Sequence, residues 1–499
     1  MWINLLAVGL LLAVYWLRQR LSYWKHRDVA FVQPSFPYGN LAGVGKKKHM
    51  CQILQHCYQQ LKGSGPFGGI YFFINPVALI IDPDLIKSVL VKDFTIFHDR
   101  NLYHNDRDDP LSRHLVAMEG SKWKNLRAKL TPTFTSGKMK LMFSTVTDVA
   151  EEFAKCMARE SANRSDVEMK DLLARFTTDV IGSVAFGLEC NSLKDPEAKF
   201  RAMGRKVFQP SSYRVMKIFL AAQFPKLART LRVTLTAPDV SEFFMGVVKD
   251  TIKFRTTNHV QRNDFMTLLM KVMKDQEEHG AVGDSKDHLT MDDIAAQAFV
   301  FFLAGFETSS TTMSFCLYEL ALHQELQDKA RQEITRVLEK HDSVSYEAIH
   351  EMKYIEMCIN ESLRKYPPAT TLTRRVEQDY RVAGTDKVLQ KGMMVAIPVY
   401  ALHRDPEHFP DPERFDPERF SPEACEKRHP FVYLPFGEGP RVCIGLRFGM
   451  MQARIGLVYL LKNFRFTLAP KKMSVPLKTS PSSSILSIEG GLWLSVEKL

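Results

Sequence analysis

The sequence predicts a mainly α-helical chain with a short β region and an N-terminal helix that anchors it in a membrane. Three observations predict this fold class. The first seventeen residues carry no charged side chain, most of the chain from Pro83 onward has helical periodicity, and an almost uncharged segment runs from Thr290 to Leu322.

The N-terminal region combines an apolar run with a basic flank. Residues 1–17 contain one strongly polar side chain, Asn4, and lie at the short end of what spans a bilayer as a helix. The positive charge follows the run, whereas a cleaved signal peptide carries it before the run. Because positive flanks stay cytoplasmic, we expect residues 1–30 to anchor a chain that faces the cytosol. A buried N-terminal core helix is the alternative.

The residues beyond the anchor suggest a hinge and one large domain. An aromatic cluster fits an interfacial belt, formed by Tyr15, Trp16, Tyr23 and Trp24. Residues 31–45 are punctuated by Pro and Gly and predict a hinge. No second boundary is visible within residues 46–499, although the length alone would suggest about three domains.

Composition excludes several classes of protein. Of 499 residues, 45% are apolar and 25% charged, which is ordinary for a globular chain. Eight cysteines are too few for a disulfide scaffold. The formal charge of +11 suits nucleic acid, an anionic membrane or an acidic protein. Neither zinc-finger spacing nor a ribonucleoprotein motif is present, so we expect no nucleic-acid binding. The group His49, Cys51, His56 and Cys57 lacks the Cys-x-x-Cys spacing of a zinc site.

Individual elements follow from local patterns. Residues 69–81 predict a β region around an Asn-Pro turn, and residues 146–157 and 169–186 predict helices. The segment from Thr290 begins with a capping-box pattern and is apolar all round, which places it in the middle of the domain. A membrane span is disfavoured there because Glu307 would be costly in lipid.

The strongest chemical signal is the string from Phe436 to Gly445, FGEGPRVCIG. Its glycines and proline preset a tight loop, and the apolar run 444–461 predicts a helix beginning just after Cys443. A thiol near a helix N-terminus, beside Arg441, has its thiolate form favoured, and the thiolate binds metals.

This string resembles the haem-binding loop of the cytochrome P450 family, in which a Cys thiolate holds haem iron. The resemblance covers the chain from the hinge to the C-terminus and implies a triangular, mostly helical fold with small β-sheets. It implies haem b (iron protoporphyrin IX) with Cys443 as axial ligand, Arg441 beside a propionate and Phe436 packed by the thiolate.

The central helix carries a second family signature, Ala304 to Ser309 (AGFETS). By resemblance, Gly305 leaves room for the flat macrocycle and dioxygen, and Thr308 and Glu307 relay protons to the bound oxygen. A threonine inside a helix commonly bonds back to a carbonyl one turn earlier, and its place beside Gly and Glu favours the functional interpretation.

Two further motifs bear on the scaffold and the propionates. Glu361 and Arg364 match the family's Glu-x-x-Arg and are expected to form a buried structural network with Arg419, for which Arg414 competes. The identically spaced Glu333 and Arg336 are expected to lie on a solvated face. By resemblance, the propionates are held by Trp123, Arg127, Arg374 (or its neighbour Arg375) and, more weakly, Arg100.

The resemblance implies a monooxygenase that uses O2 and NADPH-derived electrons. No flavin or nicotinamide site is visible, so electrons are expected from NADPH–cytochrome P450 reductase, with cytochrome b5 as a further partner. A basic docking face is expected, or else an ordinary solvated surface, at Lys122, Lys124, Lys129, Arg441 and Arg447.

Shorter strings, among them FPYGN and SSSILSIEGGLWL, resemble arthropod microsomal enzymes of the detoxifying type. They imply an endoplasmic-reticulum enzyme that hydroxylates or epoxidises lipophilic xenobiotics such as insecticides or plant toxins. An endogenous steroid or fatty-acid-like hormone, or a haem carrier or sensor without turnover, are the alternatives. The substrate pocket is expected to draw on Phe301, Ala304, Ala369, Thr370 and Ile485, although Phe301 and Phe302 fit a plain core equally well.

Overall fold

A computed structural model describes residues 2–163, 166–208, 212–262, 264–278 and 289–499. The helices are α1 Trp2–Leu21, α2 Met50–Leu61, α3 Pro83–Lys87, α4 Gly120–Leu130, α5 Ser136–Asn163, α6 Met169–Ile181, α7 Lys199–Phe208, α8 Ser212–Gln223, α9 Pro225–Thr230, α10 Pro238–Asn258, α11 Phe265–Glu278, α12 Met291–Leu322, α13 Gln324–His341, α14 Tyr346–Glu351, α15 Lys353–Lys365, α16 Val399–Leu402, α17 Pro422–Glu426 and α18 Leu446–Leu461. The strands are β1 Phe67–Phe72, β2 Asn75–Ile80, β3 Asp166–Glu168, β4 Leu372–Arg375, β5 Tyr380–Arg381, β6 Val388–Leu389, β7 Met394–Ile397, β8 Phe464–Leu468 and β9 Trp493–Lys498. The prediction of a mainly helical chain is confirmed.

Helix α12 runs through the centre of the molecule, as its sequence predicts. The Thr290 side chain accepts a hydrogen bond from the Asp293 amide, and the Asp293 carboxylate accepts one from the Thr290 amide, which completes the expected capping box. Most α12 side chains are buried, and helices α6, α10, α15 and α18 pack on it. The helix is hydrophobic all round because protein covers most of its faces.

The largest sheet has the strand order β1-β2-β7-β4. Strands β1 and β2 form a hairpin, and β7 pairs parallel to β2 and antiparallel to β4. The predicted Asn-Pro turn is wrong, because Pro76 lies inside β2 opposite Tyr71. The chain turns just before Asn75, where Phe73 adopts a positive φ of 55°. The other sheets have the orders β3-β9-β8 and β5-β6.

The N-terminal apolar run forms helix α1, on which Trp2, Leu5, Leu11 and Leu12 are among the exposed apolar side chains. Among the described residues, we find no helix with the length and apolarity needed to cross a bilayer. A membrane-spanning anchor is therefore not confirmed.

The segment after α1 packs on the largest sheet, which corrects part of the predicted aromatic belt. Trp24 is buried, and its indole N–H donates to the Ile70 carbonyl at 3.1 Å. The Tyr23 hydroxyl donates to Gln390 at 2.8 Å. Of the cluster, only Tyr15 and Trp16 are exposed. An indole in the core satisfies its single donor with a backbone acceptor, and sequence periodicity cannot distinguish this from an interfacial position.

Candidate active site

Cys443 lies at the end of a tight loop, three residues before α18 begins at Leu446. Its amide donates to the Phe436 carbonyl at 2.9 Å, which closes the loop. Gly437 and Gly439 have φ values of 72° and 73°. At Gly439, a Cβ would lie 2.1 Å from the Leu90 carbonyl oxygen. Glycine is thus required there by both conformation and space.

The Cys443 thiol is accessible to solvent and yet surrounded by protein. Its side chain is exposed, but desolvation by the surrounding protein raises its pKa. A thiol with both properties lines an internal cavity. Without a bound metal, the expected preference for the thiolate is wrong. The Gly445 amide, Arg100 and Arg127 lower the pKa of Cys443, but burial raises it by more. A cation bound at the sulfur would reverse this balance.

Arg441 is buried beneath the loop, which removes it from the predicted docking face. Its Nε donates to the His98 carbonyl at 2.8 Å, and its Nη2 donates to the Met118 carbonyl and to Asp99 at 2.9 and 3.1 Å. The guanidinium lies 4.0 Å from the centre of the Trp123 ring. A charge without access to solvent cannot meet a partner protein, although Lys122, Lys124 and Arg447 are exposed.

Three guanidinium groups form a cationic cluster near Cys443: Arg100, Arg374 and Arg441. Burial, together with the charge of Arg100, lowers the pKa of Arg374 and of Arg441 to about 9. Arg374 Nε and Arg441 Nη1 are buried without a hydrogen-bond partner. The arrangement favours an anionic ligand, because buried cations and unpaired donors are costly.

The structure separates Arg374 from Arg375, which the sequence left ambiguous. Arg375 is bound by three carboxylates, those of Glu377 at 2.7 Å, Glu119 at 2.9 Å and Asp99 at 3.2 Å. Arg374 makes one hydrogen bond, to the Thr373 carbonyl. Its guanidinium is the one left available for a ligand.

Helix α4 contributes Trp123 and Arg127 to the same region. Trp123 is buried against Arg441, and Arg127 Nη1 donates to the Val442 carbonyl at 2.9 Å. Both side chains therefore contact the Cys443 loop from one helix face, as an i, i+4 spacing permits. Arg100 donates to the Arg441 carbonyl at 2.9 Å and closes the loop from the other side.

The middle of α12 presents a short accessible strip. Ala304 is exposed and Thr308 is partly accessible, although Phe302 and Phe306 between and beside them are buried. The Thr308 hydroxyl donates to the Ala304 carbonyl at 2.5 Å. Glu307 Oε1 lies 3.4 Å from Lys170 Nζ of α6.

Gly305 has a neighbour that its sequence did not reveal. A Cβ at this position would lie 2.3 Å from Cδ1 of Ile181. The absence of a side chain therefore lets α6 approach α12 closely. The structure accordingly supplies a packing reason for this glycine, in place of the expected room for a macrocycle.

Glu361, Arg364 and Arg419 lie together in one network, in which Glu361 and Arg364 are fully buried and Arg419 is partly accessible. Arg364 donates to both carboxylate oxygens of Glu361, at 2.6 and 2.8 Å, and to the carbonyls of His403 and Pro412 at 2.8 Å each. Arg419 Nε lies 3.5 Å from Glu361. The competing Arg414 is exposed and offers only its carbonyl, 3.4 Å from Arg364.

The identically spaced Glu333 is not simply solvated, which corrects its expected role. Its carboxylate accepts hydrogen bonds from the amides of Tyr354 and Ile355 at 2.8 and 3.0 Å. These amides belong to the second and third residues of α15, so Glu333 caps the helix that carries Glu361. Arg336 is exposed, as expected.

The residues expected to line a substrate pocket divide into two groups. Ala304 and Ala369 are exposed, and Ile485 is partly accessible. Phe301 is buried, with its ring 5.3 and 5.4 Å from those of Phe134 and Phe265. Phe301 is therefore a core residue, and its place in the pocket was wrong.

Thr370 is also buried, and its carbonyl accepts a hydrogen bond from the Tyr400 amide at 3.1 Å. Leu303 is partly accessible beside Ala304. Sequence reasoning missed the role of Asp99, the buried carboxylate shared by Arg441 and Arg375. Asp99 directly precedes Arg100, but nothing in the sequence pairs it with residues so far along the chain.

These side chains fit an iron porphyrin that carries two carboxylates. A solvent-accessible thiol lies beside a cationic cluster with two unpaired buried donors. Guanidinium groups suit carboxylates because of their fork of donors. Cys443 would hold the iron, and Arg374, Arg441 and Arg100 would hold the propionates.

The chain is similar to known proteins over nearly its whole length. The family model for cytochrome P450 matches residues 32–494. A protein of Drosophila melanogaster described as probable cytochrome P450 6a14 is 45% identical over 96% of each chain. Cytochrome P450 6A1 of Musca domestica is 44% identical over 99% of this chain and 98% of its own. Cytochrome P450 6a2 of Drosophila melanogaster is 46% identical over 99% of each chain.

Proposed function

This chain belongs to the cytochrome P450 family and is a monooxygenase, and we propose that its substrates are lipophilic xenobiotics such as insecticides or plant toxins. The accessible strip around Ala304 carries this proposal. Leu303, Ala304, Ala369 and Ile485 are apolar and at least partly accessible, and we place them around the interior that Cys443 lines. An apolar interior binds a lipophilic molecule by desolvating it.

The family's haem-thiolate group supplies the redox chemistry that activates dioxygen and places one oxygen atom on the substrate. The residues of this chain hold and orient that group. Cys443 provides the thiolate, and Arg100, Arg374 and Arg441 neutralise the propionates. The Gly439 turn sets the position of the sulfur, since its backbone packs directly on Leu90.

Proton supply is the second task of the chain. Thr308 holds its hydroxyl proton on the Ala304 carbonyl, from which rotation about one bond turns it toward the cavity. Glu307, the residue before Thr308, forms an ion pair with Lys170. Its carboxyl group is the source that returns a proton to the Thr308 hydroxyl. A carrier without turnover has no use for such a relay, which supports an enzyme.

Electrons come from outside the chain in this proposal. NADPH–cytochrome P450 reductase would dock, with cytochrome b5 as a further donor, on the exposed cations Lys122, Lys124 and Arg447. Lys122 Nζ lies 3.1 Å from Asp106, which leaves Lys124 and Arg447 as the stronger contributions to an acidic partner. Arg441 has no part in this surface because it is buried.

We place the protein on the endoplasmic-reticulum membrane with its catalytic domain in the cytosol. Two surfaces with exposed apolar side chains support this placement, one on α1 (Trp2, Leu5, Leu12 and Trp16) and one on α8 and α9 (Tyr213, Met216, Ile218 and Leu227). They are joined through Asn75, which accepts from Arg20 and donates to Gln223. Apolar patches of this kind mark a membrane or partner surface.

The test is reconstitution with reductase and NADPH. We expect substrate-dependent oxygen consumption, with one oxygen atom found in the product. The Cys443→Ala variant should lose the red-shifted Soret band of the ferrous CO complex, and Cys425→Ala, at an exposed cysteine of α17, is the matched control. Full haem binding without oxygen consumption would favour the carrier, and survival of the band in Cys443→Ala would overturn the axial assignment.

A further inference from the structure

Helix α6 contacts the backbone of α12 in the turn that carries Thr308. Ile181 of α6 fills the space beside Gly305, where a Cβ would lie 2.3 Å from the Ile181 Cδ1 atom. The Thr177 hydroxyl, four residues earlier on α6, donates to the Phe306 carbonyl at 2.8 Å. Residues four apart are neighbours on a helix surface, so one face of α6 makes both contacts.

The ion pair between Lys170 and Glu307 adds a third contact between these helices. Lys170 lies seven residues before Thr177, about two turns of helix, and therefore on the same side of α6. Its Nζ is 3.4 Å from Glu307 Oε1. One face of α6 thus meets three successive residues of α12, numbers 305 to 307, immediately before Thr308.

The hydrogen bond of Thr177 differs from that of the threonine beside it. A threonine in a helix commonly bonds back to a carbonyl of its own helix, and Thr178 does so with Ala174 at 2.7 Å. The Thr177 hydroxyl lies 3.3 Å from the same carbonyl but only 2.8 Å from that of Phe306. Since a hydroxyl donates one proton, the shorter bond between the two helices is the favoured one.

This bond acts on a carbonyl that the central helix already uses. A carbonyl in the middle of an α-helix accepts from the amide four residues further on, and its second lone pair is available to the Thr177 hydroxyl. A side chain that enters the ladder of helix hydrogen bonds in this way bends the helix. Thr177 and Phe306 are both buried, so water does not replace the hydroxyl there.

Helix α6 is itself held by other parts of the molecule. Phe176 stacks on Phe153 of α5 with ring centres 4.7 Å apart. The Asp179 carboxylate accepts from the amides of Ser192 and Leu193 at 2.7 and 3.0 Å. Because α6 has these independent attachments, the bond between the two helices positions α12 rather than α6.

The affected turn is the one from which Thr308 would supply protons. The Thr308 hydroxyl donates to the Ala304 carbonyl at 2.5 Å, and Phe306 lies midway between these two residues in the chain. A change in the course of the helix at Phe306 would therefore displace the Thr308 hydroxyl relative to the cavity.

We propose that Thr177 is a positioning residue for proton supply: its bond to the Phe306 carbonyl holds the turn that presents the Thr308 hydroxyl to the cavity. This inference rests on the proposed function, because it concerns the relay assigned there to Thr308. When the proton donor is misplaced, dioxygen takes up two electrons and two protons and leaves as hydrogen peroxide, without transferring an oxygen atom to the substrate.

The experiment compares Thr177→Val with the wild-type protein, both loaded with haem and supplied with reductase, NADPH and a lipophilic probe. Ethoxycoumarin, diphenylmethane and stilbene serve as probes, and valine keeps the shape of threonine without its hydroxyl. We expect the product formed per NADPH to fall about tenfold, with hydrogen peroxide in its place, since misplacement by about 1 Å costs up to about a hundredfold. The solvent deuterium isotope effect on product formation should rise, because proton transfer then limits the rate.

A second measurement does not depend on turnover. Hydrogen exchange of the amides of residues 304–310 should be faster in Thr177→Val, because this turn has lost a hydrogen bond. The Soret band of the ferrous CO complex should stay as in the wild-type protein, since the haem ligand is unchanged.

Two further variants serve as controls. Thr178→Val removes an equally buried hydroxyl whose hydrogen bond lies within α6, and it should keep the wild-type product yield and isotope effect. Thr177→Ser keeps the hydroxyl and should restore most of both quantities.

The outcomes separate this inference from the proposed function. Faster hydrogen exchange in Thr177→Val with an unchanged product yield and isotope effect would assign the bond to packing alone and overturn the inference. A loss of yield in Thr178→Val or Thr177→Ser as large as that in Thr177→Val would overturn it as well. If the wild-type protein consumed no oxygen in response to any probe, the proposed function itself would be refuted, and the relay with it.

Discussion

Arg364 and Arg374 are both buried guanidinium groups that follow one another closely in the chain, yet their surroundings differ. Arg364 meets both oxygens of Glu361 and two backbone carbonyls. Arg374 makes one hydrogen bond to a carbonyl, keeps an unpaired Nε and lies among other cations. Charge balance within the chain distinguishes a guanidinium that holds the scaffold from one that awaits an anionic ligand.

The largest expected effect comes from removing Arg364, whose charge is balanced by Glu361. Arg364→Leu removes both guanidinium hydrogen bonds from the buried Glu361 carboxylate and leaves it only the Asp416 amide and Arg419, whose Nε is 3.5 Å away; we expect a cost of about 3–5 kcal/mol. Urea denaturation of the variant should show this loss in the free energy of unfolding. Arg414→Leu, which removes an exposed side chain from the same turn, should stay within about 0.5 kcal/mol of wild type. Equal losses in the two variants would contradict the distinction.

Low pH should also destabilise the region around Arg364, because His403 packs against it. Its ring contacts the Arg364 carbonyl through Nδ1 at 3.1 Å and accepts from the Leu434 amide through Nε2 at 2.8 Å. Burial, with the charge of Arg364, lowers the pKa of His403 to about 3. The neutral ring therefore contributes stability fully above pH 6.5, and this contribution is lost as the pH falls toward 3, because only the unfolded state takes up the proton.

The expected slope is at most about 1.4 kcal/mol per pH unit below pH 6.5. Unfolding measured at intervals between pH 7 and 4.5 should reveal it, and His403→Gln should flatten it while lowering stability at pH 7. An unchanged slope in that variant would show that another group controls the acid response.

The smallest expected effect comes from replacing Arg374, the guanidinium without a carboxylate partner. Arg374→Leu removes an uncompensated buried cation, so the haem-free protein should keep or slightly gain stability, while haem dissociates roughly tenfold faster, the equivalent of about 1.4 kcal/mol. Arg375→Leu should lower the stability of the haem-free protein and leave the rate of haem dissociation unchanged. The reason is that Asp99, Glu119 and Glu377 lose the cation they share. Thermal unfolding of the haem-free chains and haem transfer to apomyoglobin measure the two quantities. If Arg375→Leu accelerated haem loss and Arg374→Leu destabilised the haem-free protein, Arg375 would be the propionate ligand instead of Arg374.

Local patterns in the sequence predicted what depends on neighbours along the chain. The capping box at Thr290 and the apolar run to Leu322 placed α12, because capping and helical periodicity are short-range properties. The loop around Cys443 could be predicted in the same way, since Gly439 needs a positive φ and Cys443 precedes an apolar helix. Residues in such patterns interact with partners within a few positions.

Long-range contacts account for the corrections. Trp24 was assigned to an interface, but it is covered by β1; Glu333 was assigned to solvent, but it caps α15. Gly305 was assigned to a cofactor, whereas Ile181 of α6 fills the space beside it. Each error has the same origin, since the partner lies far away in sequence and no local pattern identifies it.

By itself, the sequence determined the central helix, the tight loop around Cys443 and the family that these motifs indicate. Only the tertiary structure decided which arginine is paired and which is available, that Arg441 is inaccessible to a partner, and that burial rather than the helix N-terminus controls the Cys443 thiol. The reason is physical. Motifs are set by covalent spacing and backbone conformation, whereas pKa, charge balance and access to solvent are set by whatever the fold brings within a few ångströms.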